Sequence, residues 1–381
     1  MKNSNIRLNK LIFYVSYTLI IFSTMFKQVT GINNLLETLS TIGIMLLLIN
    51  CVSNINKLNI NKVLILFISV LMAVITKITS KSNTIFILIL LIIAAKNIKL
   101  EELIKYDLKI KIPFMIIIVV LYFLGMTDVN LHYRNGIIRH SMGFSNPNVF
   151  STYILAIIVE YLYLRRKKVN AKDLIIIIIG IFIIDFYADS RTQIFCLIIL
   201  ALIVYINKYT GKKFLNNSIV NFIVSNIFII LTIFSLLIIY FYGQGNDIVQ
   251  DIDVQTSGRI KQISGVFNEY DVNLFGNKLD LVTSLQAKLT GKQQTALDNV
   301  YIYSLLSYGI IPFIIMCIAM KKYMKTTIKE NEDILRTIML VFLIGGLMER
   351  FCIEVQYNIF LLYFSYIIYD NKNKKEKVLE E

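Results

Sequence analysis

The sequence predicts an all-α, polytopic membrane protein, and three observations carry that prediction. Of 381 residues, 56% are hydrophobic and only 17% charged, too few polar groups to clothe a soluble domain of this size. Apolar stretches of about twenty residues, the length of a helix that crosses a bilayer, recur along the chain. The basic residues collect in alternate connecting segments, the charge asymmetry that orients membrane proteins.

Taken in order, twelve candidate spans run over 9–27, 35–52, 61–78, 83–97, 111–127, 147–164, 173–188, 190–207, 219–242, 298–320, 334–349 and 352–370. The first lacks a cleavage-site pattern and is read as a retained helix, not a signal peptide. The fourth is short, and the seventh and eighth are separated by almost no loop. With the N-terminus in the cytoplasm, 27 of the 39 Lys and Arg residues fall inside and 12 outside. Both termini are then cytoplasmic. The net charge of +14 becomes cytoplasmic-loop lysine that sets orientation, with no nucleic-acid partner implied. The whole chain, 1–381, reads as one integral membrane domain with a large extracytoplasmic loop over 243–297. The four cysteines (Cys51, Cys196, Cys317, Cys352) form no CxxC pair, so neither a disulfide framework nor a zinc site is expected.

The segment Leu131–Asn148, LHYRNGIIRHSMGFSNPN, carries both histidines, His132 and His140, with Arg134 and Arg139. It falls on the outer side, where cations are normally sparse. Five of the 12 outer basic residues are Arg against 4 of the 27 inner ones. A guanidinium grips phosphate oxygens through a planar fork and keeps its charge. Arg134, Arg139, Arg191 and Arg259 are therefore the candidate ligands of a diphosphate. Arg350 is a further outer arginine, and the competing role for each is to neutralise headgroups or pair with Asp251, Asp253 or Glu349.

Within the 243–297 loop, SGRIKQISGVFNEY places Ile260, Ile263, Val266 and Phe267 at helical spacing. That pattern predicts an interfacial helix on the membrane surface, with Ser257 as N-cap and Arg259 in its first turn. Acidic and amide residues gather near outer helix ends: Asp185, Asp189, Asp298, Asn299, Glu349, Glu354 and Gln356. Such groups near a bilayer are costly unless paired or wetted. Asp298 has capping as its structural alternative, and Glu349 a local ion pair with Arg350. Glu37 and Glu160 are expected to reach a nearby interface. As general base for a hydroxyl nucleophile the candidates are Asp298, His140 and Glu349, in that order. Asp251-Ile-Asp253 has the spacing of a metal-binding diacid but reads as a solvated pair, so no metal and no cofactor are expected.

Four segments resemble the bacterial Wzy-type O-antigen and capsular polysaccharide polymerases and, more distantly, the O-antigen ligases. RHSMGFSNPN (Arg139–Asn148) is similar to the R-x-S-x-G-F-x-x-P-N signature of capsular polymerases. ADSRT (Ala188–Thr192) is similar to an S-R-T helix start. SGRI and LFGN are similar to the S-G-R and L-F-G pair of the large outer loop, and DNVYIYSLLSYGII (Asp298–Ile311) to the segment that follows it. The resemblance covers nearly the whole chain.

It implies a GT-C-like glycosyltransferase that polymerises undecaprenyl-diphosphate-linked oligosaccharide repeat units on the outer face of the bacterial cytoplasmic membrane. Arginines matching Arg191 and Arg259 would bind diphosphate. Asn146, Asn148, Asn299 and Tyr301, lying in the matched motifs, become candidate substrate contacts. The chain departs from the ligases in carrying Asp298 at its motif's opening and its histidines elsewhere. Expected partners are the lipid-linked oligosaccharide and membrane lipids, with a chain-length regulator as an optional third. The rival readings are a ligase of the same superfamily and a flippase. A flippase would bring internal repeats and helices broken near the membrane midplane, which the sequence does not display.

Overall fold

The computed structural model describes residues 2–55, 59–127, 132–134, 136–209, 217–282, 291 and 295–369. The tail lysines at 372–377, residues 283–290 of the predicted large loop, and Leu131 and Asn135 lie outside the described residues. Among the described residues there are sixteen α-helices and one two-stranded hairpin. Four helices have the length and hydropathy to cross a membrane: Arg7–Met25, Asn33–Asn54, Ile60–Ser80 and Pro147–Leu164, with a bent pair as a fifth if counted as one span. The protein is thus mostly helical and built on several membrane-length apolar helices.

Two compact units make up the chain, residues 1–70, 87–201 and 354–381 in the first, and 71–86 and 202–353 in the second. The first contains α1 (Lys2–Met25), α2 (Asn33–Ile55), α5 (Leu100–Phe123), α6 (Pro147–Leu164) and α7 (Ala171–Ala188), with parts of α3 (Ile60–Ser80), α4 (Thr84–Ala94) and α8 (Arg191–Tyr209). Where the surroundings are lipid, burial of apolar area alone does not drive helices together. Close approach and polar pairing then carry the association. Gly43 of α2 permits the first: a Cβ there would stand 3.0 Å from Ile20 and 3.1 Å from the Ser16 carbonyl of α1.

Of the four membrane-length helices α6 is the most enclosed, with 72% of its span buried, as a helix apolar on all sides requires. It starts where the sequence supplies a cap, Asn146 accepting from the Val149 N–H with Pro147 as first helical residue. Helix α7 starts with a reciprocal capping box between Asn170 and Asp173.

Two sequence expectations fail in this unit. Lys111, the first residue of the predicted span 111–127 and counted with the inner basic residues, and Glu160, expected at an interface, are both fully buried and joined at 2.5 Å, with Asp107 on the other side of the ammonium at 2.6 Å. Hydropathy along one chain does not reveal that α5 and α6 place opposite charges face to face. Outside the membrane-length segments, Glu101 pairs with Lys105 at 2.7 Å and with Arg166 at 3.3 Å. Lys105 foremost, with Arg166, holds its carboxyl below the ordinary range.

The second unit contains α9 (Ser218–Ser225), α10 (Ile227–Gly243), α11 (Asp247–Gln255), α12 (Arg259–Glu269), α13 (Val300–Tyr303), α14 (Ile310–Lys329) and α15 (Asp333–Gly345). The predicted span 219–242 is bent by 66° at Asn226, whose side chain donates back to the Phe222 carbonyl. The predicted span 298–320 is also interrupted. A π-helical turn, Ser304–Tyr308, follows α13, and Gly309 at φ +89° separates it from α14. The last predicted span, 352–370, falls from residue 354 onward in the first unit, and its described residues form short 3-10 turns and a seven-residue helix, α16 (Tyr363–Tyr369).

Ile263 and Val266 of α12 pack with Ile239, Leu297, Ile302 and Leu306. The apolar stripe predicted to lie on the membrane surface is therefore part of this unit's own core. The LFGN segment lies along the π turn: Asn277 N–H donates to the Leu306 carbonyl, and Ile310 N–H to the Asn273 carbonyl, each at 3.0 Å.

Candidate functional site

Each unit assembles one cluster of the residues that the sequence singled out. In the first unit the hairpin β1 (His132–Arg134) and β2 (Ile137–Arg139) pairs His132 with Arg139 and Arg134 with Ile137. It delivers both arginines to the turn between α7 and α8. Arg134 donates to the Asp189 carbonyl at 2.7 Å and lies 3.4 Å from its carboxylate. Arg139 is buried, donating from Nε to the Ala188 carbonyl at 2.7 Å and from Nη2 to Asn148 Oδ1 at 2.7 Å and Ser190 Oγ at 3.3 Å. Asp189 at the α7 end is left-handed, φ +43°, a conformation that costs an ordinary residue energy and that these bonds hold.

Arg134 and Arg139 therefore use much of their donor capacity on the chain itself. Asn148, expected at substrate, receives Arg139, and Asn146 is a helix cap. His140 Nδ1 is 3.3 Å from the Tyr122 hydroxyl. Arg191 differs from all of these. It is the first residue of α8, exposed, and among the described residues its guanidinium has no ion pair or hydrogen bond. A cation at the positive end of a helix is opposed by the macrodipole, and an anion bound there relieves both.

The cluster of the second unit centres on Arg259, at the start of α12. Its Nη2 donates to Glu349 Oε1 at 2.9 Å and its Nη1 to the Met348 carbonyl, and Nη1 stands 4.0 Å from Asp298 Oδ2. Arg259 and Asp298 line a recess with Gln262, Asn299, Leu347 and Met348, and Glu349 holds Arg259 from outside that lining. Glu349 lies beyond the end of α15 at Gly345 and pairs with Arg259 at 2.9 Å, while the charge of its neighbour Arg350 also acts on its carboxyl. Arg350 stands over the Tyr303 ring, 4.4 Å from its centre. The lining thus sets one guanidinium, Arg259, against one carboxylate, Asp298.

Three local assignments are corrected here. The N-cap of α12 is Gly258, not Ser257. The carboxylate of Asp253, read as a solvated loop group, is buried and accepts from the Lys261 N–H at 2.9 Å. The α12 N-terminus thus already has an anion, supplied by the chain. Asn299, not Asp298, caps α13: its Oδ1 accepts from the N–H groups of Tyr301 and Ile302, both at 3.0 Å. Its Nδ2 donates to Ser235 Oγ at 2.9 Å and to the Leu347 carbonyl at 3.2 Å. Tyr301 is fully buried and donates to the Leu343 carbonyl at 2.5 Å.

Asn299 and Tyr301, expected as substrate contacts, therefore hold the recess wall, and Asp298 is released from capping. Asn299→Ala is expected to destabilise the fold by about 2 kcal/mol, the upper end for a lost cap, read as a lower unfolding temperature in detergent.

Sequence reasoning missed Gln262 and the Met348 carbonyl. The first had a signal, since it lies one helical turn after Arg259 and so shares its face. The carbonyl had none, because only folding brings residue 348 to residue 259. No family model matches the chain, and no curated protein or solved structure matches it either.

Proposed function

We propose that this chain is a polysaccharide polymerase, a glycosyltransferase that joins undecaprenyl-diphosphate-linked oligosaccharide repeat units on the outer face of the bacterial cytoplasmic membrane. The proposal includes about twelve membrane-crossing segments, a GT-C-like architecture and cytoplasmic termini. The observation that carries it is Arg191, an exposed and unpaired guanidinium set against the positive end of an α-helix. A diphosphate answers both features.

In the proposed reaction the acceptor sugar's hydroxyl attacks the anomeric carbon of the growing chain. A new carbon–oxygen bond forms there as the bond to the lipid diphosphate breaks with inversion. The diphosphate leaves with the electron pair, its charge stabilised by arginine without recourse to a metal. The hydroxyl proton passes to a base, for which the candidates are Asp298, His140 and Glu349 in that order.

The test is the ladder of lipid-linked glycans in cells lacking the protein, complemented with wild type or Arg191→Lys. Wild type should restore long chains. The Lys variant should insert normally yet leave single repeat units on the outer face, because a point charge does not replace a bidentate fork. Single units trapped inside the cell would mark a transporter instead.

A further inference from the structure

We propose that Asp107, Lys111 and Glu160 form a proton-binding site, in which two carboxylates share one ammonium and one additional proton. All three side chains have zero exposure. The ammonium of Lys111 lies 2.6 Å from Asp107 Oδ2 and 2.5 Å from Glu160 Oε1. Counting charges leaves one negative charge uncompensated in a place that water does not reach, an arrangement strongly disfavoured in a low-dielectric interior. Like-charged carboxylates around one site do not both stay ionised there.

The orphaned atoms say where the missing cation belongs. Asp107 Oδ1 and Glu160 Oε2 are buried without a close hydrogen-bond partner, and the hydroxyl of Tyr17 from α1 faces both acids and is turned to Asp107. Carboxylate oxygens left without close partners around a single ammonium are what a missing carboxylic proton leaves behind. A proton on either acid makes the cluster neutral and turns an orphan oxygen into a donor. A sodium ion fits less well, since the ammonium already occupies the position between the two carboxylates.

The surrounding ionisable groups come from every packed element: Tyr17 of α1, Tyr153 of α6, and Glu354 and Tyr357 of the C-terminal segment. Gln356 donates to Glu354 at 2.6 Å, and the Tyr357 ring packs on Tyr153. Neither contributes a cation to the cluster. Proton occupancy thus sets the charge of the junction that seats α1 against α5 and α6. This site is independent of the polymerase reading.

The test is infrared spectroscopy of the full chain in lipid nanodiscs at neutral pH. Wild type should show a carbonyl stretch from a protonated carboxyl in an apolar setting, and it should vanish on strong alkalinisation. Glu160→Gln and Asp107→Asn should each remove that band, because either change leaves one carboxylate for one ammonium. Lys111→Met should double it. If any variant fails to fold, the wild-type spectrum decides alone. Absence of the band in wild type, its persistence in both amide variants, or its replacement on adding sodium chloride would each overturn the proposal.

Discussion

Asp298→Asn is expected to lower the rate of glycan polymerisation by roughly 10²–10⁴-fold, the contribution of a positioned general base, while leaving the unfolding temperature nearly unchanged. Asp298 is partly exposed, and its ion-pair partner Arg259 stands 4.0 Å away. The capping role that would have tied it to stability belongs to Asn299. An isosteric amide therefore removes the proton acceptor and little else. Glu349→Gln is the informative comparison, because Glu349 makes a closer contact with Arg259, at 2.9 Å. Losing that charge leaves a mostly buried guanidinium short of its partner and should cost stability as well as rate. Initial rates with purified lipid-linked repeat units, alongside thermal unfolding, separate the two. Full activity in Asp298→Asn with loss in Glu349→Gln would move the base to Glu349.

Gly276→Ala is expected to cost roughly 2–5 kcal/mol, adding a left-handed backbone penalty of about 1–2 to an overpacking penalty of about 1–3. Gly276 has φ +81°, and a Cβ there would run into the Ser307 carbonyl. The obstacle is backbone on a π turn that is itself fixed by Asn277 and by Gly309, so no flexible side chain is available to swing aside. Gly258→Ala supplies the contrast. Its φ of +76° is as unfavourable, but nothing lies within 4 Å of the added Cβ, so only the backbone penalty of about 1–2 kcal/mol applies. Thermal unfolding of both variants against wild type measures the difference. Equal losses would mean that the LFGN segment is not held against the π turn.

The local parts of the fold were legible because their signals are local. Asn146-Pro147 starts α6 where a cap followed by proline predicts a helix start, and the apolar lengths of α1, α2, α3 and α6 are written in consecutive residues. The spacing of Ile260, Ile263 and Val266 correctly marked a helix, but its apolar face was assigned to the membrane when it packs within its own unit. Asp298 and Asn299 show the same limit at shorter range. Either residue type caps a helix, and a one-residue difference in where α13 begins exchanges their roles.

Composition and periodicity by themselves determined that this is a mostly helical protein with membrane-length apolar helices, since the cost of exposing backbone and polar groups to lipid acts on every residue in turn. Only the tertiary structure decided which charges meet. Lys111 found Glu160 49 residues away and Arg259 found Glu349 90 residues away. A buried charge is tolerated only beside its partner, and partners so distant in sequence are chosen by helix packing, which no short window of residues contains.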